Sequence, residues 1–139
     1  MISIEEVLGH FRAWNHVVLA SVEEDQPRLR PITLMFFNDR FFFATQSSDN
    51  KVKQLSENPK IELILQLKEP PDNGYVRVEG KAEKQLDQTL VSQLYEVYDF
   101  MEKLWSGPSD PNLTVYEVKP SMYDYLKPGE WSSHMLKVK

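Results

Sequence analysis

The sequence predicts a mainly β fold, a small antiparallel barrel of six strands with helices packed at its ends. Three observations support it. Six runs rich in β-branched and aromatic residues are joined mostly by links too short for the crossover that parallel strands need. Three stretches with apolar residues at helical spacing lie before or between those runs. At 139 residues, without a repeat, linker or low-complexity segment, the chain fits a single domain (1–139) with one core.

The first helix is expected over residues 3–14. Ile4, Val7, Leu8, Phe11 and Trp14 recur at helical spacing, and Ser3 with Glu6 forms an S-x-x-E box that satisfies two free amides. "HVVLASVEE" reads as the first strand, "EDQP" as a turn and "RLRPITLMFF" as the second strand. Pro31 forfeits a ladder bond, which puts that point at an edge or bulge with unpaired carbonyls. Asn38-Asp39 signals a tight turn into the third strand, "RFFFATQ". After a polar loop, Val52 and Leu55 give a short helix an apolar stripe, and Asn58-Pro59 ends it. "KIELILQL" and "GYVRVEGKAEKQL" are the fourth and fifth strands, separated by a stiff loop, "KEPPDN". From Asp87, a cap, to Trp105 the spacing of Leu90, Val91, Leu94, Val97, Tyr98 and Met101 predicts one long helix, closed by "SGPSDP". "LTVYEVKPSMYDYL" is the sixth strand, where Pro120 implies an edge, a bulge or a change of partner, and "KPGEWSSHMLKVK" reads as a tail.

Composition excludes several function classes. Cysteine is absent, so there are no disulfides, thiolate metal sites or thiol nucleophiles, and a cytoplasmic setting is expected. A net charge of −5 argues against nucleic acid, whose affinity rests on clustered Lys and Arg. No apolar run approaches the roughly 20 residues that span a bilayer, and "MISIEEVLGHF" is too acidic and amphipathic for a secretory leader. His10, His16 and His134 show no metal-ligand spacing, so no metal is assigned. G-x-S-x-G, G-x-G-x-x-G and P-loop motifs are missing, and no catalytic acid–base pair stands out.

One loop gathers unusual chemistry. Thr45, Gln46, Ser47, Ser48, Asp49 and Asn50 directly precede Lys51 at a helix start, where free amides and a partial positive charge favour an anion. Asp49 would repel a dianion unless it turns away or caps the backbone, and most hydroxyl-rich helix starts are only caps. Arg28 and Arg30 share a face of the neighbouring strand, either the barrel's interior rim or its solvent side. Trp131 is a large ring in a tail, packed on its own domain or else docked on a dimer partner or ligand.

In order and spacing, "VVLASVEEDQPRLRPITLMFFNDRFFFAT", "KVKQLSENPKIELIL" and "VRVEGKAE" resemble the flavin-binding split-barrel family related to pyridoxamine 5′-phosphate oxidase, including its general-stress-protein and nitroimidazole-resistance branches. The likeness runs from about Val17 to Leu86. It implies a six-stranded antiparallel split barrel that binds flavin mononucleotide (FMN). Carried over by position, the phosphate ligands are Arg30, Thr45, and Asn50 with Lys51. Main chain around Pro31, Ile32 and Thr33 would face the isoalloxazine edge, with Ala44 flanking the cofactor. Asn50 stands where the family has Arg, Asp49 where the oxidase has Ser, and Tyr75 where it has a cofactor-reaching Gln. Trp131 and His134 are a faint counterpart of the oxidase's C-terminal segment, so a true vitamin B6 oxidase is not expected. The resemblance further implies a homodimer with flavin between subunits and an unknown small-molecule substrate. The function it implies is an FMN oxidoreductase. The alternatives are a non-catalytic flavin-binding, sensing or stress-related protein, a deazaflavin protein, and a barrel that has lost flavin and binds haem or another ligand.

Overall fold

The computed structural model describes residues 1–139. Helix α1 (Ile4–Leu8) precedes strands β1 (Trp14–Glu23), β2 (Gln26–Phe37) and β3 (Arg40–Gln46), then helix α2 (Asn50–Glu57). Strands β4 (Lys60–Glu69) and β5 (Asp72–Lys84) follow, then helices α3 (Gln88–Val97) and α4 (Phe100–Leu104) and strands β6 (Leu113–Leu126) and β7 (His134–Lys137). No helix is long and apolar enough to cross a membrane.

Six strands close a ring in the order β2-β1-β4-β5-β6-β3, every pair antiparallel, and β7 adds a seventh strand beside β6. Closure between β2 and β3 is short, holding only Met35, Phe36 and Phe37 against Phe42, Phe41 and Arg40. From Gln26 to Leu34, β2 pairs with β1 alone, so the barrel is split along that edge. Pro31 stands on this open edge in an unbroken ladder with β1, so the edge reading holds and no bulge is needed. Asn38 and Asp39 both have positive φ, at 52° and 58°, which is how a two-residue turn matches the twist of the strands it joins.

Strand alternation divides the apolar residues into two cores. Val17, Leu19, Leu34, Phe41, Phe43, Leu63, Val76 and Val78 fill the barrel, while Met35, Phe42 and Val115 face outward beneath Leu90, Leu94, Met101 and Trp105. Val7 of helix α1 joins the barrel core, and Phe11, between α1 and β1, packs against Phe36 and Phe41. Helix α2 packs over β1.

Several elements differ from their sequence reading. The first helix stops at Leu8 instead of reaching Trp14. Gly9 caps it, the Asn15 side chain ties back to the Arg12 amide at 2.8 Å and carbonyl at 2.9 Å, and the aromatic residues beyond serve the barrel. Only half of the S-x-x-E box forms: Ser3 accepts from the Glu6 amide, whereas the Glu6 carboxylate accepts from the Tyr125 hydroxyl. "KEPPDN" is not a loop but a two-residue Pro70-Pro71 turn, with a cis peptide bond, inside a hairpin. The tail contains β7, in register with Met122–Tyr125. At Pro120, β6 is bulged against Gly80 and changes partner on its other edge, from β3 up to Val118 to β7 from Met122.

The long helix over 87–105 is two helices. Tyr98 takes an extended conformation, φ −105° and ψ 100°, and its hydroxyl donates to the carbonyls of Ala13 at 2.8 Å and Phe36 at 3.2 Å. Apolar periodicity continues through the break because both helices cover the same sheet face, so spacing alone conceals it. Tyr98→Phe should therefore cost about 1 kcal/mol in urea titrations, since it removes a partly buried hydrogen bond to these carbonyls.

Glu117 is an internal carboxylate, 5 % exposed, that accepts from Arg40 Nε at 2.9 Å and Nη2 at 2.6 Å and from Gln85 at 3.2 Å, with Lys119 Nζ at 3.3 Å. Burial pushes its pKa up, but the Arg40 and Lys119 bonds outweigh burial and hold it below the usual range. A depressed folded pKa means a stability contribution that is complete above the unfolded pKa and lost as pH falls through the folded one. Thermal melts should thus show the native chain losing stability below about pH 4 more steeply than Glu117→Gln, which should be the less stable at neutral pH.

Candidate functional site

Where β2 and β3 no longer pair, side-chain alternation leaves Arg30 and Thr45 on the barrel's inner side at the two lips of the split. Helix α2 follows directly from β3. Three residues apart on it, Lys51 and Gln54 share a face, and both are buried. Lys51 Nζ lies 2.9 Å from Thr45 Oγ1. The Arg30 guanidinium donates to Ser21 Oγ and Gln54 Oε1, each at 2.8 Å, with a longer contact of 3.4 Å to the Leu19 carbonyl. Ser21 in turn donates to Gln54 Oε1 at 2.6 Å. Two hydrogen-bonded sets thus lie side by side at the split, Arg30 with Ser21 and Gln54, and Lys51 with Thr45, and the shared face of α2 that carries Lys51 and Gln54 brings them together.

Asp49 belongs to the Lys51 set. Its Oδ1 caps α2, accepting from the Lys51 amide at 2.9 Å, and lies 3.2 Å from Lys51 Nζ. Burial pushes Asp49 up, but the Lys51 amide and ammonium and the Arg30 charge outweigh it and hold the carboxylate below its usual range. Burial draws the Arg30 guanidinium down, and Asp49 opposes that. The cluster therefore holds two cations, a hydroxyl, a helix amide end and one internal anion.

Other residues named from the sequence lie elsewhere. Asn50 is exposed at the first position of α2. Ile32 points inward, next to Arg30 on the same face, while Pro31 and Thr33 face out. The outward side holds a hollow of about 440 Å³ lined by Trp14, His16 and Thr33 and by the α3–α4 break. The Ala44 side chain packs in the outer core, opposite Thr45. Ser47 turns away to β6, 2.8 Å from both the Pro111 carbonyl and the Thr114 hydroxyl. Arg28 makes a surface pair with Glu23. Tyr75 sits on the outer barrel face under the Arg77 guanidinium. Trp131 is wholly exposed, so its ring does not pack on its own domain. Another hollow, about 410 Å³ and rich in Lys and Glu, lies beside the Gly80 bulge and shares no residue with the cluster.

Gln54 and Ser21 do not stand out in the sequence as site residues. Their signal was positional: Gln54 is one turn beyond Lys51 on the same helix face, and Ser21 continues the inward series of Val17 and Leu19.

The family model for pyridoxamine 5′-phosphate oxidase matches residues 4–127 of this chain. The chain belongs to that family. Among curated relatives, general stress protein 26 of Bacillus subtilis (strain 168) is 27% identical over 128 residues, covering 90% of this chain and 86% of the relative. Two solved structures share the pyridoxamine 5′-phosphate oxidase fold at low identity. An FAD-binding protein from Mesorhizobium loti has a TM-score of 0.75 at 15% identity, covering 93% of this chain and 96% of its own. A haem-binding protein from Mycobacterium smegmatis has a TM-score of 0.74 at 12% identity, covering 90% of this chain and 53% of its own. These two neighbours share one barrel architecture and differ in the ligand they bind.

Proposed function

We propose that this chain binds FMN and acts as an oxidoreductase, moving electrons between a reduced donor and a small organic acceptor. The observation that carries the reading is the meeting of Arg30, Thr45 and Lys51 at the split, with Lys51 buried and its ammonium on the Thr45 hydroxyl. A guanidinium, an ammonium, a hydroxyl and a helix amide end form a donor set suited to phosphate and poorly suited to a neutral ligand. In the reading, these groups hold the FMN phosphate with Asn50 as a neutral neighbour, and the open β2 edge at Pro31, Ile32 and Thr33 meets the ring. Bound flavin supplies the electron-transfer chemistry, and the chain binds, orients and shields.

Tyr75 on the outer barrel face and Trp131 on the β6–β7 connection can contribute only at a surface facing outward, which fits a homodimer with flavin between subunits. Half-exposed Trp14 and exposed Leu29, Val97 and Met135 supply apolar area for such an interface. A cytoplasmic setting suits a cysteine-free chain.

The test is a visible spectrum of the purified protein before and after adding FMN, with mass identification of anything released on denaturation and sizing in solution. The expected result is a yellow dimer that releases FMN. Colourless protein that ignores FMN would remove the oxidoreductase reading, and a haem spectrum would replace it.

A further inference from the structure

We infer that Asp49 is an internal stand-in for the ligand's phosphate and sets the charge selectivity of the site; the inference rests on the flavin reading above. A phosphate entering between α2 and the β2 lip would need the Lys51 amide and the Lys51 ammonium. Asp49 Oδ1 already takes both, at 2.9 and 3.2 Å, within electrostatic reach of Arg30.

The two partners differ in freedom. The Lys51 side chain is 10% exposed and fixed on Thr45, whereas that of Asp49 is 42% exposed on a loop. Entry of an anion therefore means rotation of Asp49 toward solvent, while Lys51 stays in place. The helix loses its carboxylate cap at that moment and regains an acceptor from the phosphate, so the exchange leaves no amide unpaired.

Charge makes the exchange selective. Arg30 and Lys51 against Asp49 leave one net positive charge, less than a phosphate dianion carries, and the neutral Asn50 adds none. Native Asp49 thus penalises FMN relative to riboflavin, which lacks the phosphate but shares the ring. Asparagine at this position would keep the cap acceptor and remove only the charge, which separates the electrostatic role from the structural one.

The experiment compares the full-length native chain with Asp49→Asn. With ¹⁵N labelling, inorganic phosphate should move the Lys51 amide resonance of Asp49→Asn at a concentration about tenfold lower than in the native chain. Titrated separately, FMN should tighten by the same factor on substitution, and riboflavin by less than about twofold. Equal or weaker phosphate binding by Asp49→Asn overturns the inference whether or not flavin binds. Phosphate tightening with no binding of FMN or riboflavin by either form upholds Asp49 as the stand-in for a phosphate and removes the flavin reading. FMN and phosphate binding that both ignore the substitution do the reverse.

Discussion

Replacing Lys51 with methionine should weaken FMN binding by about 1.5–3 kcal/mol, the scale of a charge-assisted hydrogen bond lost from a protected position. The position is protected because α2 turns Lys51, Gln54 and Leu55 into the barrel end, leaving the ammonium with Thr45 and Asp49 as its neighbours. Methionine preserves the chain length and apolar stem, so α2 keeps its packing while the charge disappears. Folding stability should change little, since burying an ammonium is itself unfavourable and the substitution removes that cost along with the Thr45 bond. Arg30→Ala should lower affinity by a similar amount but is less selective. It strips the guanidinium donor from Ser21 and Gln54, both buried, leaving only the bond between those two. Fluorescence titration of FMN against each variant, beside a thermal melt, reads the two effects separately. Native affinity in Lys51→Met would dismantle the phosphate site.

Six of the seven strands, and the β1-β2-β3 meander, are readable because alternation and turn chemistry are local. Asn38-Asp39 and "RFFFATQ" determine their own geometry whatever surrounds them. What escaped depended on distant partners. Tyr98 breaks a helix to reach carbonyls at Ala13 and Phe36, more than sixty residues earlier, and no periodicity within α3 announces that. The last strand reads as a tail because four residues with weak apolar alternation acquire strand geometry only by pairing with β6. In the site, charged and hydroxyl residues stand out in the sequence, but the apolar stripe of α2 shows only Val52 and Leu55. The polar members of its buried face, Lys51 and Gln54, were not read as a face at all. A polar residue on a buried face is recognised only once its partner is known, and for Gln54 on α2 that partner is Arg30 on β2.

The second large effect is expected at Phe42, and it separates the fold from the site. Phe42 is fully buried in the outer core, among Met35, Leu94 and Met101, with the Arg40 guanidinium 5.2 Å from its ring centre. Phe42→Ala should cost about 3–5 kcal/mol, from lost burial and the cavity left under α3 and α4. That is a large part of the roughly 5–15 kcal/mol that holds such a domain together, so the urea midpoint should fall steeply. FMN affinity per folded molecule should nonetheless stay native, because Thr45 points from the opposite face of β3 and the phosphate network touches none of the outer core. Phe43→Ala supplies the contrast. Its ring fills the barrel interior on the same face as Thr45 and stacks on Tyr116 at 5.1 Å. Removing it should lower stability by a comparable amount and loosen the strand beneath the phosphate site, so affinity should drop as well. If both substitutions weakened FMN binding equally, the outer core would be part of the binding apparatus, and the division of labour between the two faces of β3 would be wrong.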